Sequence, residues 1–133
     1  MYKPVKFITE VPYPDFSTLY LFCKPLKTLL PIEIEINTKS AAPSIYNSIK
    51  RIIRGCGMDV SDVKIYHYHS NNFYAYLTLK KEGKDFEFNI AIKDALEISK
   101  EMSVPIFVKD EILENCGIKI TRDLLIKSLR DSD

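Results

Sequence analysis

The hydrophobic pattern changes period within residues 85–108, DFEFNIAIKDALEISKEMSVPIFV, and the other segments read as partners for this stretch. Phe86, Phe88, Ile90 and Ile92 alternate with Asp85, Glu87, Asn89 and Ala91, the period-two signature of a strand with one buried face. From Asp94 the spacing turns helical, with Ala95, Ile98 and Met102 on one side. Residues 104–108 then form a short apolar run suited to a buried strand.

Upstream, residues 5–9 predict a first strand, and the proline-rich VPYPDF after it is expected to stay out of a sheet interior, because proline has no amide donor. Residues 19–23 resume extended structure. Residues 28–36 alternate Ile32, Ile34 and Ile36 with Glu33 and Glu35, which gives one buried and one acidic face. A helix follows, with Ser40 as its expected N-cap and Pro43 in its first turn. Ile45, Ile49, Ile52 and Ile53 make its apolar stripe, Lys50, Arg51 and Arg54 suit its C-terminal dipole, and Gly55 and Gly57 stop it.

Residues 63–69, the turn Ser70-Asn71-Asn72 and residues 73–79 predict a hairpin; the lysine-rich turn 80–84 extends it into a meander of three antiparallel strands. Downstream, Asp110 is the expected cap of a short helix ending at Gly117. Thr121 caps a last helix with Leu124, Leu125 and Leu129 on its apolar side. Residues 18–36 and 73–92 each read as a hairpin whose second strand feeds a helix, which fits either an internal duplication or a common way of building such a sheet. The expected fold is therefore α+β: a mixed, largely antiparallel sheet, two main helices packed on it, and short C-terminal helices.

A chain of 133 residues suffices for one core and is too short for two ordinary domains, so residues 1–133 are read as a single domain. Lys+Arg at 19 against Asp+Glu at 18 leaves no global electrostatic footprint for nucleic acid, although local basic patches remain available. No apolar stretch approaches the roughly 20 residues that span a bilayer, and MYKPVKFITEVP is too polar for a secretory signal, so a cytoplasmic location is expected. Cys23, Cys56 and Cys116 are odd in number and lack CxxC spacing, which favours free thiols over disulfides or a cysteine zinc site.

Several side chains are candidates for chemistry. Asp94, at a strand-to-helix junction, can hold a metal ion or activate water; with Glu97 three residues on, it also has the spacing of a capping box. Glu33, Glu35, Asp85 and Glu87 would supply hard oxygen ligands if the two halves pair, or simply solvate strand faces. His67 and His69 project to the same side of a strand, which makes two ligands and not a site. Lys39, Lys50, Arg51, Arg54, Lys80, Lys81 and Lys84, near Tyr66, Tyr68 and Tyr74, are either phosphate-binding patches or solvated charges. The sequence holds no phosphate-binding glycine loop and no nucleophile elbow.

The run Asp94-Ala95-Leu96 through Val104-Pro105-Ile106-Phe107-Val108 resembles the SRPSDAI, helix and APIFV pattern of the bifunctional nuclease family, small bacterial, archaeal and plant domains. LPIEIEI at residues 30–36 is similar to that family's LPIWIG strand, and HYHSNNFYAYLTL is similar to its strand, turn and FYA-containing strand. The resemblance implies a nuclease acting on DNA or RNA with a divalent metal, Mg or Mn, with Asp94 as catalytic residue and metal ligand. Glu97 and Glu87 would be helpers, and Lys93, Lys50, Arg51 and Arg54 nucleic-acid contacts. The chain departs from the pattern where the family has Ser-Arg-Pro-Ser, since Ile90, Ala91, Ile92 and Lys93 stand there, and it has Thr38 where the family places a glutamate. The alternative is a non-catalytic binding or regulatory domain of the same fold, recognising a protein or nucleic acid. Exposed strand edges would also permit a homodimer.

Overall fold

Turn chemistry divides the chain into hairpins. Ser70 and Asn71 have φ of 50° and 65°, and Glu82 and Gly83 have φ of 53° and 77°, so each pair forms a two-residue reversal with both residues left-handed. His69 then pairs with Asn72, and Lys81 with Lys84. The computed structural model describes residues 1–35 and 45–131. Its strands are β1 (Tyr2–Pro12), β2 (Phe16–Cys23), β3 (Thr28–Glu35), β4 (Asp59–His69), β5 (Asn72–Lys81), β6 (Lys84–Ala91), β7 (Ile106–Lys109) and β8 (Ile118–Lys119). Its helices are α1 (Ile45–Gly55), α2 (Ile92–Met102), α3 (Asp110–Cys116) and α4 (Arg122–Asp131).

The strands form one mixed sheet in the order β6-β5-β4-β7-β1-β2-β3-β8, antiparallel throughout except where β7 runs parallel to β4. The α+β expectation holds, and so does the meander β4-β5-β6. Two meanders, β1-β2-β3 and β4-β5-β6, flank β7 in mirrored order, and each is followed by a helix.

Two prolines lie in β1, Pro12 at its end and Pro4 near its start. Pro4 pairs with Phe107 of β7, and Pro12 pairs with Ser17 of β2. β7 covers only residues 2–5 of β1 and β2 covers 6–12, so each proline has a neighbour on one side alone and its missing donor breaks no ladder.

Ala95, Leu96, Ile98 and Ser99 of α2 are buried against the face of β4 and β5 that carries Val63, Ile65, Ala75, Leu77 and Leu79. Leu21, Leu30, Ile32 and Val108 extend this core with no exposure. Each such side chain contributes about 1.5–3 kcal/mol through removal from water. Ser103, left-handed at φ 54°, ends α2. Val104 N–H reaches Ser99 C=O at 3.2 Å, while Ser99 Oγ donates to Val104 C=O at 2.7 Å.

Three apolar patterns are not buried as expected. β6 is an edge strand, and Phe86 and Phe88 remain 40% and 50% exposed because α2, leaving at the end of β6, covers β4 and β5 instead. Ile52 of α1 is exposed although Ile53 beside it is buried. Leu125 and Leu129 of α4 are also exposed, although Thr121 Oγ1 does accept Leu124 N–H at 3.2 Å as its cap. Asp110 is the first residue of α3, with Lys109 at the cap position. The expectations for Ile36, Thr38, Lys39, Ser40 and Pro43 lie outside the described residues. No described helix is long and apolar enough to cross a membrane, and the three cysteines are free thiols.

Candidate functional site

Four chain connections meet around one cleft. Tyr13 N–H donates to Phe16 C=O at 2.8 Å and closes the β1–β2 turn, which carries Asp15. The end of β3 brings Glu33 and Glu35, the tight β4–β5 reversal brings Asn71 and Asn72, and the abrupt β6–α2 junction brings Ile92 and Lys93. Together these side chains line a cleft of about 600 Å³ holding three carboxylates, two carboxamides and one ammonium group. A second groove of about 690 Å³ adjoins it, since Phe16, Glu33 and Asn71 border both. Its walls are rings: Tyr13 stacks on Phe16 with centroids 4.7 Å apart, Tyr68 packs on Phe73 at 4.6 Å, and Tyr20 lies among them. Asn115 and Cys116, at the end of α3, complete the lining, and burial raises the Cys116 thiol above the ordinary thiol range.

The α2 helix starts two residues before Asp94. Ala91 is at the cap position, with no side-chain cap bond, and Asp94 is the third helical residue. Asp94 is therefore not the N-cap of a box with Glu97; it is an acidic group in the first turn, where it complements the positive helix end. Asp94 and Glu97, three apart on α2, share a helix side, and both are half-buried. Lys93 is at the cleft itself.

Glu87 is elsewhere. It pairs with Thr78 on the face opposite Leu77 and Leu79, and lies near the Tyr76 hydroxyl. Burial first, then the hydrogen bond with Tyr2 at 3.1 Å and the charge of Glu87, push the Tyr76 hydroxyl well above the ordinary phenol range. The four-carboxylate cluster does not assemble: Glu33 and Glu35 reach the cleft at the start of α2, whereas Asp85 and Glu87 belong to the half of β6 remote from α2. Lys50 and Arg54 line a separate cavity of about 330 Å³ with Glu101, at the other end of α2 from Lys93. Arg51 is exposed on α1. His67 and His69 stack on the sheet with centroids 6.2 Å apart, and His67 also meets Tyr74. Among the described residues, no three His, Cys, Asp or Glu side chains converge as metal ligands.

The residues that sequence reasoning missed are Tyr13, Asp15, Phe16, Tyr20, Asn71 and Asn115. For the first three, the two aromatic residues and one acidic residue beside the prolines of VPYPDF were the available signal.

Residues 27–121 match the family model described as the bifunctional nuclease domain. Over 100 residues, 73% of this chain, it is 30% identical to proteins named bifunctional nuclease 1 in Oryza sativa subsp. indica and bifunctional nuclease in Oryza minuta. The aligned part covers 30% of each relative, so the chain spans less than a third of their length.

Proposed function

The chain belongs to the bifunctional nuclease domain family, and on that premise we propose that it is a nuclease-like protein hydrolysing phosphodiester bonds of DNA or RNA at the cleft beside the start of α2. The observation that carries this reading is the convergence of Asp15, Glu33, Glu35, Asn71, Asn72 and Lys93 at the junction where the family resemblance is centred. In this reading Lys93 draws a non-bridging phosphate oxygen into the cleft. The family resemblance gives Asp94, which adjoins Lys93 in sequence but is not itself among the residues lining the cleft, the role of taking a proton from the attacking water as the new P–O bond forms and the leaving oxygen departs to be protonated by solvent. Comparison of cleavage in Mg²⁺, in Mn²⁺ and in chelator reads the dependence on a divalent metal.

Lys93→Ala is expected to lower cleavage of labelled single-stranded oligonucleotides at least tenfold, whereas Arg54→Ala, at the far end of α2, leaves it unchanged. Equal loss in both would place the chemistry elsewhere. A second reading, a non-catalytic nucleic-acid-binding domain, is favoured by one observation. Ala91 and Ile92 form the strand–helix junction, where neither can donate to a phosphate through its side chain. It predicts binding without turnover.

A further inference from the structure

We propose that the ring-walled groove is a nucleobase site, so that the protein takes single-stranded nucleic acid with one unpaired base in the groove and the adjoining phosphate in the cleft. The proposal rests on the nuclease-like reading and adds the substrate class. Its volume of about 690 Å³ falls in the range of small-molecule sites. Two ring pairs, Tyr13–Phe16 and Tyr68–Phe73, belong to separate connections and border one space, which offers flat apolar surface to a base regardless of its sequence. Tyr68 hydroxyl donates to Asn71 Oδ1 at 3.0 Å, which orients the carboxamide, and its amide nitrogen still carries donor hydrogens suited to a base edge. Asn115 supplies a second carboxamide of the same kind.

The arrangement selects against a duplex. Paired bases are stacked inside the helix and cannot enter a concave ring-lined groove. Because Phe16, Glu33 and Asn71 border both spaces, the site holding the base is continuous with the one holding Lys93.

The test is fluorescence anisotropy of a fluorescein-labelled oligothymidylate of about ten nucleotides, measured in chelator with the wild-type chain, Tyr13→Ala, Tyr68→Ala and Tyr68→Phe. Tyr13 and Tyr68 are both exposed, so these variants keep the fold, which a thermal melt verifies. Each alanine variant should weaken binding by roughly 5- to 100-fold, while Tyr68→Phe, which keeps the ring and loses only the bond that orients Asn71, should lose less than Tyr68→Ala. The strand should also slow alkylation of Cys116, which lines the groove, and leave the exposed Cys56 unaffected. Wild-type protein that fails to bind, that binds a duplex of the same length equally well, or that is indifferent to both alanine changes overturns the base site. Cleavage that persists alongside such a result leaves the nuclease reading standing. Ring-dependent binding without turnover under any metal would remove the nuclease reading and leave the base site.

Discussion

Gly117→Ala is a direct test of how α3 is seated against β3. Gly117 has φ −82° and ψ 156°, a conformation open to any residue, so the substitution acts through space alone. An added Cβ would collide with Thr28 Cγ2 and with the Leu113 carbonyl oxygen. Thr28 cannot swing away freely, because its Oγ1 donates to Leu26 C=O at 2.9 Å, and giving up that bond costs about 0.5–1.5 kcal/mol. The Leu113 carbonyl accepts the Gly117 N–H at 3.1 Å, and moving it opens the last turn of α3 at about 1 kcal/mol more. With overpacking of about 1–3 kcal/mol wherever the backbone does not yield, the expected loss is about 3 kcal/mol. At about 2.1 cal/mol/K per residue over 133 residues, the unfolding entropy is roughly 0.28 kcal/mol/K, so Tm should fall by about 10 °C in a circular-dichroism melt. Thr28→Ser in the same background removes the methyl and keeps the hydroxyl, and should return about 1 kcal/mol, or about 4 °C. A drop of less than about 3 °C, or no recovery from Thr28→Ser, would refute the seating of α3 described above.

Two further outcomes follow from burial. Leu96, 2% exposed on α2, should cost about 2.7–5 kcal/mol as Leu96→Ala; a denaturant melt showing under about 1 kcal/mol would mean that α2 is not packed as described. In thiol labelling, the exposed Cys56 should react first, the half-buried Cys116 more slowly and Cys23 only on unfolding. Because burial raises the Cys116 thiol, its contribution to stability is intact below the ordinary thiol pKa and is lost as pH rises through the raised value, so its labelling should accelerate only in the alkaline range. Cys116 reacting as fast as Cys56 at neutral pH would contradict that.

The meander β4-β5-β6 and the strand β3 were legible because period-two alternation and turn residues act locally. What local pattern could not supply was the neighbour of each strand. Phe86 and Phe88 read as buried because alternation reports a two-faced strand and not its place in the sheet, and β6 is at an edge. Asp94 read as a cap because the Asp-to-Glu spacing fits one, whereas the strand continues to Ala91 and the helix starts without a polar cap. The groove was illegible for a related reason. Tyr20 and Asn115 are far apart in sequence and come together only once α3 has crossed from β7 to β8 beside β3. Lys93 reached the cleft, but Lys50 and Arg54 were grouped with it on charge, and the length of α2, roughly 15 Å at 1.5 Å per residue, separates them.

The most direct measurement of the central claim is cleavage of single-stranded DNA, double-stranded DNA and RNA by the purified wild-type chain beside Asp94→Ala, in chelator, Mg²⁺ and Mn²⁺. The expected result is cleavage of single strands by the wild type, falling at least a hundredfold in Asp94→Ala with the melting temperature unchanged. Equal cleavage by the two proteins, or none by either under any metal, would contradict a nuclease site at the start of α2.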